Sequence, residues 1–143
     1  MKKRFFTAVL AVLVSVVSYA QETVIGKAQL PKVVQQNITK YFGNKNISSI
    51  VKDREGLKVV YDVYFADQTE AEFASNGELK EVKNYNRVPD NVVPKKILAY
   101  VKRQYSGAVI THWEKERNKQ KVELNNGLEL EFDLRGNFLR LDD

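Results

Sequence analysis

The sequence predicts an α+β protein built from two copies of one unit, each a helix followed by four antiparallel strands. Three observations support this prediction: two helices that each start at a proline, runs of alternating apolar and polar residues, and a 59-residue offset that superposes the strands of the two copies. One unit alone is small for closing a good core. We therefore expect a single continuous sheet with both helices on one face.

The first twenty residues have the pattern of an export signal. Lys2, Lys3 and Arg4 precede the uncharged, mostly apolar run Phe5–Val17, and Ser18-Tyr19-Ala20 offers small residues to a signal peptidase. This run of thirteen residues is shorter than the roughly 20 that span a bilayer. We expect cleavage after Ala20, no stable membrane anchor afterwards, and a periplasmic or secreted protein.

The amino-acid composition argues against several classes of function. The chain has no cysteine, so disulfides and thiol chemistry are impossible and stability must come from a core. Its net charge is +5, but without the three basic residues of the signal there remain 20 basic and 18 acidic residues. This near balance gives no support to a nucleic-acid partner. With one histidine and no thiol, a zinc site based on histidine lacks ligands, and we expect no cofactor.

Each unit opens with an amphipathic helix. The first unit, residues 21–86, has a helix from Pro31 to Gly43, and the second, residues 87–143, has one from Pro94 to Ser106-Gly107. Proline suits a helix start because its missing N–H is not needed there. Apolar residues at helical spacing predict the buried stripes: Leu30, Val34, Ile38, Tyr41 and Phe42 in one helix, and Val93, Ile97, Val101 and Tyr105 in the other.

Alternation predicts the strands and the direction of their side chains. One face is buried and the other open when apolar residues recur at every second position. Turns are predicted at 66–68, 75–77, 125–127 and 134–136, and three of the four end in glycine, which favours three-residue hairpin loops. Stretches 46–54 and 108–117 add a strand to each unit. The inward residues are Leu57, Val59, Tyr61, Val63 and Phe65 in the first unit, and Leu128, Leu130 and Phe132 in the second.

These motifs resemble the PepSY-like proteins. The similarity includes Leu30-Pro31, Glu70–Phe73 and Asn76-Gly77 in the first unit, and the run Val122–Asp133 with Gly136-Asn137-Phe138 in the second. The first unit departs from the pattern at Asp67-Gln68, where the second has Asn126-Gly127, so the tightness of its first hairpin stays open. The resemblance implies an exported bacterial protein with a fold like that of the β-lactamase inhibitor protein. Because related PepSY domains are associated with restraining peptidases, it also implies binding of another protein, with no catalytic residues to transfer.

The open face of the sheet is the candidate binding site. The implied register places Asp62 opposite Glu72, and Glu123 opposite Glu129, and like charges directly opposite destabilise a sheet. Basic neighbours such as Lys58, Lys80, Lys121 or Arg140 could offset them, or else a basic partner surface or a hard cation such as Ca²⁺ could do so. The candidate partner-binding residues are Val60, Asp62, Tyr64, Glu70, Glu72, Trp113, Glu123, Glu129 and Glu131.

Three function classes remain, in decreasing order of support. The first is an exported, non-catalytic protein that binds another exported protein through the open face and inhibits it in the manner the resemblance implies. The second is a carrier of a small ligand or cation in the groove between the two units. The third, an enzyme, has little support because His112, the single histidine, has no serine placed as a nucleophile in the sequence.

Overall fold

Two helices cover one face of a nine-stranded antiparallel sheet, and the strands lie side by side in the order of the chain. The computed structural model describes residues 21–142, so the predicted export signal at 1–20 lies outside the described residues. The predicted α+β architecture, with two repeats that each contain a helix and strands, is confirmed. The strands are β1 Gln21–Ile25, β2 Ile47–Glu55, β3 Lys58–Phe65, β4 Glu70–Ala74, β5 Leu79–Lys83, β6 Ile110–Lys115, β7 Lys119–Leu124, β8 Glu129–Asp133 and β9 Phe138–Asp142.

The helices α1 (Lys32–Phe42) and α2 (Lys95–Gln104) each follow a proline in the N-cap position, Pro31 and Pro94. Their apolar stripes pack on the inward residues of the sheet and form one core, as the helical spacing predicts. The ring of Phe42 lies 4.7 Å from that of Phe65, centroid to centroid. Neither helix is long and apolar enough to cross a membrane within the described residues.

Strand β1 is an element that the sequence pattern did not predict. It pairs with β2 over Gln21–Ile25, and Val24 is 74% exposed. Backbone pairing holds this edge strand, so it carries little of the buried alternation that reveals a strand in sequence. Strand β1 lies beside β2 at the start of the sheet, in the same way that β5 lies beside β6 at the start of the second repeat.

The prediction that Leu57 points inward is wrong. Leu57 is fully exposed in the two-residue turn between β2 and β3, where Glu55 pairs with Lys58. The apolar alternation of β3 extends to Leu57, which directly precedes the strand, and periodicity alone does not show where the strand begins.

The first hairpin of repeat one is as tight as its counterpart in repeat two. The N–H of Phe65 donates to the Thr69 carbonyl at 2.8 Å, and Leu124 donates to Leu128 at 2.9 Å. Gln68 takes a positive φ of 70° where repeat two has Gly127 at 84°. The same loop is therefore built with a residue that disfavours this conformation.

Candidate binding face

The face of the sheet opposite the helices, here the open face, carries a row of acidic side chains. The register confirms Asp62 opposite Glu72, and it extends the row by pairing Glu72 with Glu81 and Glu81 with Glu114. Four acidic residues thus stand side by side on the neighbouring strands β3, β4, β5 and β6. The pairing of Glu123 with Glu129 in repeat two is confirmed as well.

Asp53, Asp62, Glu72 and Glu81 form what we call the acidic cluster of repeat one. Burial, followed by the charge of Glu72, raises the pKa of Asp62 to about 6. Burial and the charge of Glu81 likewise raise the pKa of Glu72. Within residues 21–142, no lysine or arginine nitrogen lies within 4.0 Å of either carboxylate. Oδ1 of Asp53 is buried and accepts no hydrogen bond from the described residues.

Glu81 is the member of the cluster that has partners. Nε2 of His112 lies 2.6 Å from its Oε1, and Nζ of Lys83 lies 2.9 Å from the same oxygen. The hydrogen bond from His112 is the main cause that lowers the pKa of Glu81 to about 2. Nδ1 of His112 faces Glu123 at 3.9 Å, so this imidazole stands between carboxylates of the two repeats.

Repeat two neutralises Glu129 and Glu131 with its own basic side chains. Nζ of Lys121 lies 3.0 Å from Oε1 of Glu129, and Nζ of Lys119 lies 2.7 Å from Oε1 of Glu131. Arg140 adds a forked contact to Glu131, from Nε to Oε2 at 2.7 Å and from a terminal nitrogen to Oε1 at 3.3 Å. The bonds from Arg140 and Lys119 hold the pKa of Glu131 at about 2.

The expectation that basic neighbours offset the like-charge pairs is therefore met by a direct ion pair in one repeat only. Lys121 acts this way on the Glu123–Glu129 pair of repeat two. In repeat one, Lys58 and Lys80 act from a distance greater than 4.0 Å and only partly offset the burial that raises the pKa of Glu72. Asp62 and Glu72 are left without an ion pair in the described part of the chain.

Two of the predicted face residues are not available to a partner. Trp113 is wrong as a face residue: it is 5% exposed, pairs with the buried Val82 and Val122, and donates its indole N–H to Gln120 at 3.0 Å. Glu131 lies on the open face but is only 3% exposed, because its basic neighbours cover it. The other predicted residues, namely Val60, Asp62, Tyr64, Glu70, Glu72, Glu123 and Glu129, lie on the open face.

Asp53, Glu81 and His112 belong to this site and were missed. The pairing shifts between Glu72 and Phe73, so strict alternation does not carry over from β4 to β5. The 59-residue offset was the available signal, since it aligns Glu81 with Arg140 on the equivalent strand. Asp53 lies on a strand whose register follows only from the structure.

The groove predicted between the repeats exists as a shallow cavity where β5 meets β6. Tyr85, which is 89% exposed, stands at its edge. The residues that line it have polar or charged groups, and its use by a small ligand stays a prediction. The lining residues are Gln68, Glu70, Lys83, Asn84, Tyr85, Thr111, His112 and Glu123.

No group of three or more histidine, aspartate or glutamate side chains within residues 21–142 is arranged to hold a metal ion. The carboxylates of the acidic cluster stand side by side along the sheet instead of converging on one point. They thus form an extended array of hydrogen-bond acceptors. Such an array suits several separate positive charges, or a flat cation, better than it suits a single metal ion, which needs converging ligands.

The chain belongs to the PepSY-like family. The family model described as "Putative beta-lactamase-inhibitor-like, PepSY-like" matches residues 17–60 and 59–140. The family's description refers to an inhibitor-like fold and names no activity.

Solved structures agree with this assignment. A "putative calcium-regulated periplasmic protein" from Bacteroides thetaiotaomicron is 28% identical, with a TM-score of 0.79 over 85% of this chain and 97% of that one. A "putative periplasmic protein of unknown function" from Bacteroides vulgatus is 32% identical, with a TM-score of 0.78 over 86% of this chain and all of that one. A second Bacteroides vulgatus "putative periplasmic protein" is 29% identical, with a TM-score of 0.77 over 85% and 97% of the two chains. A comparison with proteins of curated function found no match.

Proposed function

We propose that this chain is an exported, non-catalytic binding protein that holds a positively charged surface of another exported protein on the open face of repeat one. One observation carries the proposal: Asp62 and Glu72 face each other across β3 and β4, and within residues 21–142 no lysine or arginine nitrogen lies within 4.0 Å of either carboxylate. Such a pair destabilises the free sheet, and a positive partner would remove that cost. Export is supported by the signal pattern and by the description of the three similar structures as periplasmic proteins.

The surroundings of the pair suit a protein partner. Tyr64 stands beside Asp62 on β3 and pairs with Glu70, so an aromatic ring borders the carboxylates. Aromatic side chains on a rigid surface contribute contact area at small cost in entropy. The inhibitor-like description of the family is compatible with a protein that occludes its target by surface contact.

The test is capture of a partner by purified protein from the periplasmic extract of its own organism. The wild type is compared with the double variant Asp62→Lys/Glu72→Lys, and Glu129→Gln serves as the matched control, because Lys121 already neutralises Glu129. The expected result is one protein that the wild type and the control retain, that the double variant loses, and that moderate salt releases. The recovered protein is then purified and its binding measured by calorimetry.

A partner held equally by the double variant would contradict the proposed face. The double variant must be folded for this comparison, and circular dichroism with thermal unfolding checks that. We expect it to remain folded, because each new lysine gains an acidic neighbour, Asp53 near position 62 and Glu81 opposite position 72.

A second candidate, calcium binding, is favoured by one specific observation. The Bacteroides thetaiotaomicron relative is described as a "putative calcium-regulated" protein, and the acidic cluster offers the carboxylate oxygens that Ca²⁺ takes. Titration with CaCl₂ tests this candidate. A melting temperature that rises with calcium in the wild type but not in Asp62→Asn would favour calcium binding, and an unchanged melting temperature would favour the protein partner.

A further inference from the structure

The two repeats place an equivalent glutamate in opposite surroundings. Glu72 and Glu131 occupy the same position at the 59-residue offset, and the sheet reproduces the equivalence in detail. Glu72 pairs with Asp62 and Glu81, and Glu131 pairs with Lys121 and Arg140. Both pairings with the last strand of the repeat shift directly after the glutamate, so the backbones correspond through the bulge as well.

Every cation that surrounds Glu131 is replaced in repeat one. Lys121 corresponds to Asp62, and Arg140 corresponds to Glu81. Lys119, the third cation, corresponds to Val60. The carboxylate that has three basic partners within 4.0 Å in repeat two therefore has two acidic residues and one apolar residue at the equivalent positions in repeat one, where Lys58 and Lys80 act on Glu72 only from beyond 4.0 Å.

Repeat two shows what the equivalent glutamate binds when a cation is at hand. Arg140 places Nε and a terminal nitrogen on the two oxygens of Glu131, at 2.7 and 3.3 Å. This fork matches the geometry of a carboxylate, which the rounder lysine ammonium does not. The contact is thus an internal example of a guanidinium seated on this position of the sheet.

We propose, on the basis of the proposed function, that repeat one receives a guanidinium from outside: an arginine side chain of the partner lies over Glu72, between Asp62 and Glu81, as Arg140 lies over Glu131. Val60 leaves an apolar patch where Lys119 stands in repeat two, and the methylene stem of an arginine packs on such a patch. Asp62 and Glu81 supply further acceptors, so one guanidinium can donate to more than one carboxylate.

The proposal predicts a preference that a general acidic surface would not have. Arginine should bind better than lysine, because the array is flat and forked contacts fit it. Citrulline, which has nearly the shape of arginine but no charge, should not bind. Calcium should compete with arginine only if it occupies the same carboxylates.

The experiment is an NMR titration of the isotope-labelled protein with three capped tripeptides, Ala-Arg-Ala, Ala-Lys-Ala and Ala-citrulline-Ala. We expect the arginine peptide to shift the amide signals of Asp62, Glu72 and Glu81 in the millimolar range, the lysine peptide to bind at least several-fold more weakly, and the citrulline peptide to leave the spectrum unchanged. Asp62→Lys and, separately, Glu81→Arg introduce the repeat-two residue and should abolish the shifts. Glu129→Gln should leave them intact.

Shifts that are equal for arginine and lysine, that spread over both repeats, or that persist in Asp62→Lys would overturn the arginine site. A lysine decapeptide separates this failure from failure of the proposed function. If it binds the open face while the arginine peptide shows no preference, the basic-partner function stands and the arginine site falls. If neither peptide binds, both proposals fall.

Discussion

His112 of repeat two donates a 2.6 Å hydrogen bond from Nε2 to Oε1 of Glu81 in repeat one. The two residues belong to β6 and β5, the pair of strands at which the repeats join. Lys83 and Glu123 flank the contact. The junction of the two repeats on the open face is therefore a polar contact, and the apolar contact between them lies on the other side of the sheet.

Replacing His112 with alanine should lower the free energy of unfolding at neutral pH by about 1 kcal/mol, the value of one partly exposed charged hydrogen bond. Because the pKa of Glu81 is lowered in the folded protein to about 2, its contribution is present above its ordinary pKa of 4.5 and is lost as the pH falls from there. The variant should lose less stability than the wild type between pH 5 and pH 2.5. Urea unfolding across that range measures both effects.

Thr111→Ala is the control for this prediction, because its hydroxyl donates to the carbonyl of Glu123 and not to Glu81. We expect it to keep the acid dependence of the wild type. If His112→Ala loses as much stability as the wild type between pH 5 and pH 2.5, then Lys83 alone keeps Glu81 ionised.

Asp62→Asn should raise the free energy of unfolding at pH 7 by about 1 kcal/mol, a value reduced for the solvent that still reaches this carboxylate. The pKa of Asp62 is raised to about 6 by burial and by Glu72, so the folded state is favoured while Asp62 is protonated and loses this advantage as the pH rises through 6. The wild type should consequently gain stability from pH 7 to pH 5, and the variant should gain less. Thermal unfolding at the two pH values tests the sign.

Glu129→Gln is the matched comparison for Asp62→Asn. It removes one acid of a like-charge pair, but Lys121 holds that acid at 3.0 Å. Its stability should stay the same or fall slightly. Equal stabilisation by both variants would mean that the two repeats carry the same electrostatic strain.

Gln68→Gly should stabilise the protein by about 0.5–1 kcal/mol. Gln68 holds a positive φ of 70° in the first hairpin of repeat one, where repeat two uses Gly127. Gln68→Ala is the control, because alanine keeps the unfavourable φ and should give no gain. Denaturant unfolding of the three proteins, with unchanged slopes, isolates the backbone term.

Gly77→Ala should cost about 2–3 kcal/mol, against about 1 kcal/mol for Gly127→Ala. Both glycines have positive φ, 91° and 84°, so the conformational cost is shared. An added Cβ at Gly77 would lie 2.6 Å from Cγ2 of Val33 on α1, whereas at Gly127 it would meet nothing within 4 Å. Similar losses in the two variants would mean that α1 yields easily at this contact.

The sequence predicts the fold well because the relevant signals are local and repeated. The prolines that start the two helices and the glycines of the hairpins act within a few residues, and the second copy checks the interpretation of the first. The sequence does not predict the parts of the structure that are held mainly by backbone pairing. Strand β1 has few buried side chains, and Leu57 continues a pattern beyond the strand that generates it.

The sequence predicts which face of the sheet carries the candidate site. It predicts less well which of the charges on that face are neutralised. Alternation places Asp62 and Glu72 on the open face, and the turns place them opposite each other. Whether a charge is neutralised depends on the reach and geometry of side chains on the neighbouring strand, such as Arg140 on Glu131. Trp113 illustrates the same limit, because its facing follows from the pairing of β6 with β5 and β7.

The strand order of the sheet has a consequence for how the molecule is made. Each described strand after β1 pairs with the strand that precedes it in the chain. Six of these eight connections are short turns and the other two each contain a helix, and contacts between near neighbours in sequence form quickly. The sheet can thus assemble stepwise while the chain emerges amino-terminus first from a ribosome or an export channel, each hairpin adding to an edge that is already in place. In the described sheet β1 and β9 each leave one outer edge unpaired, and these are the places where a further strand could join.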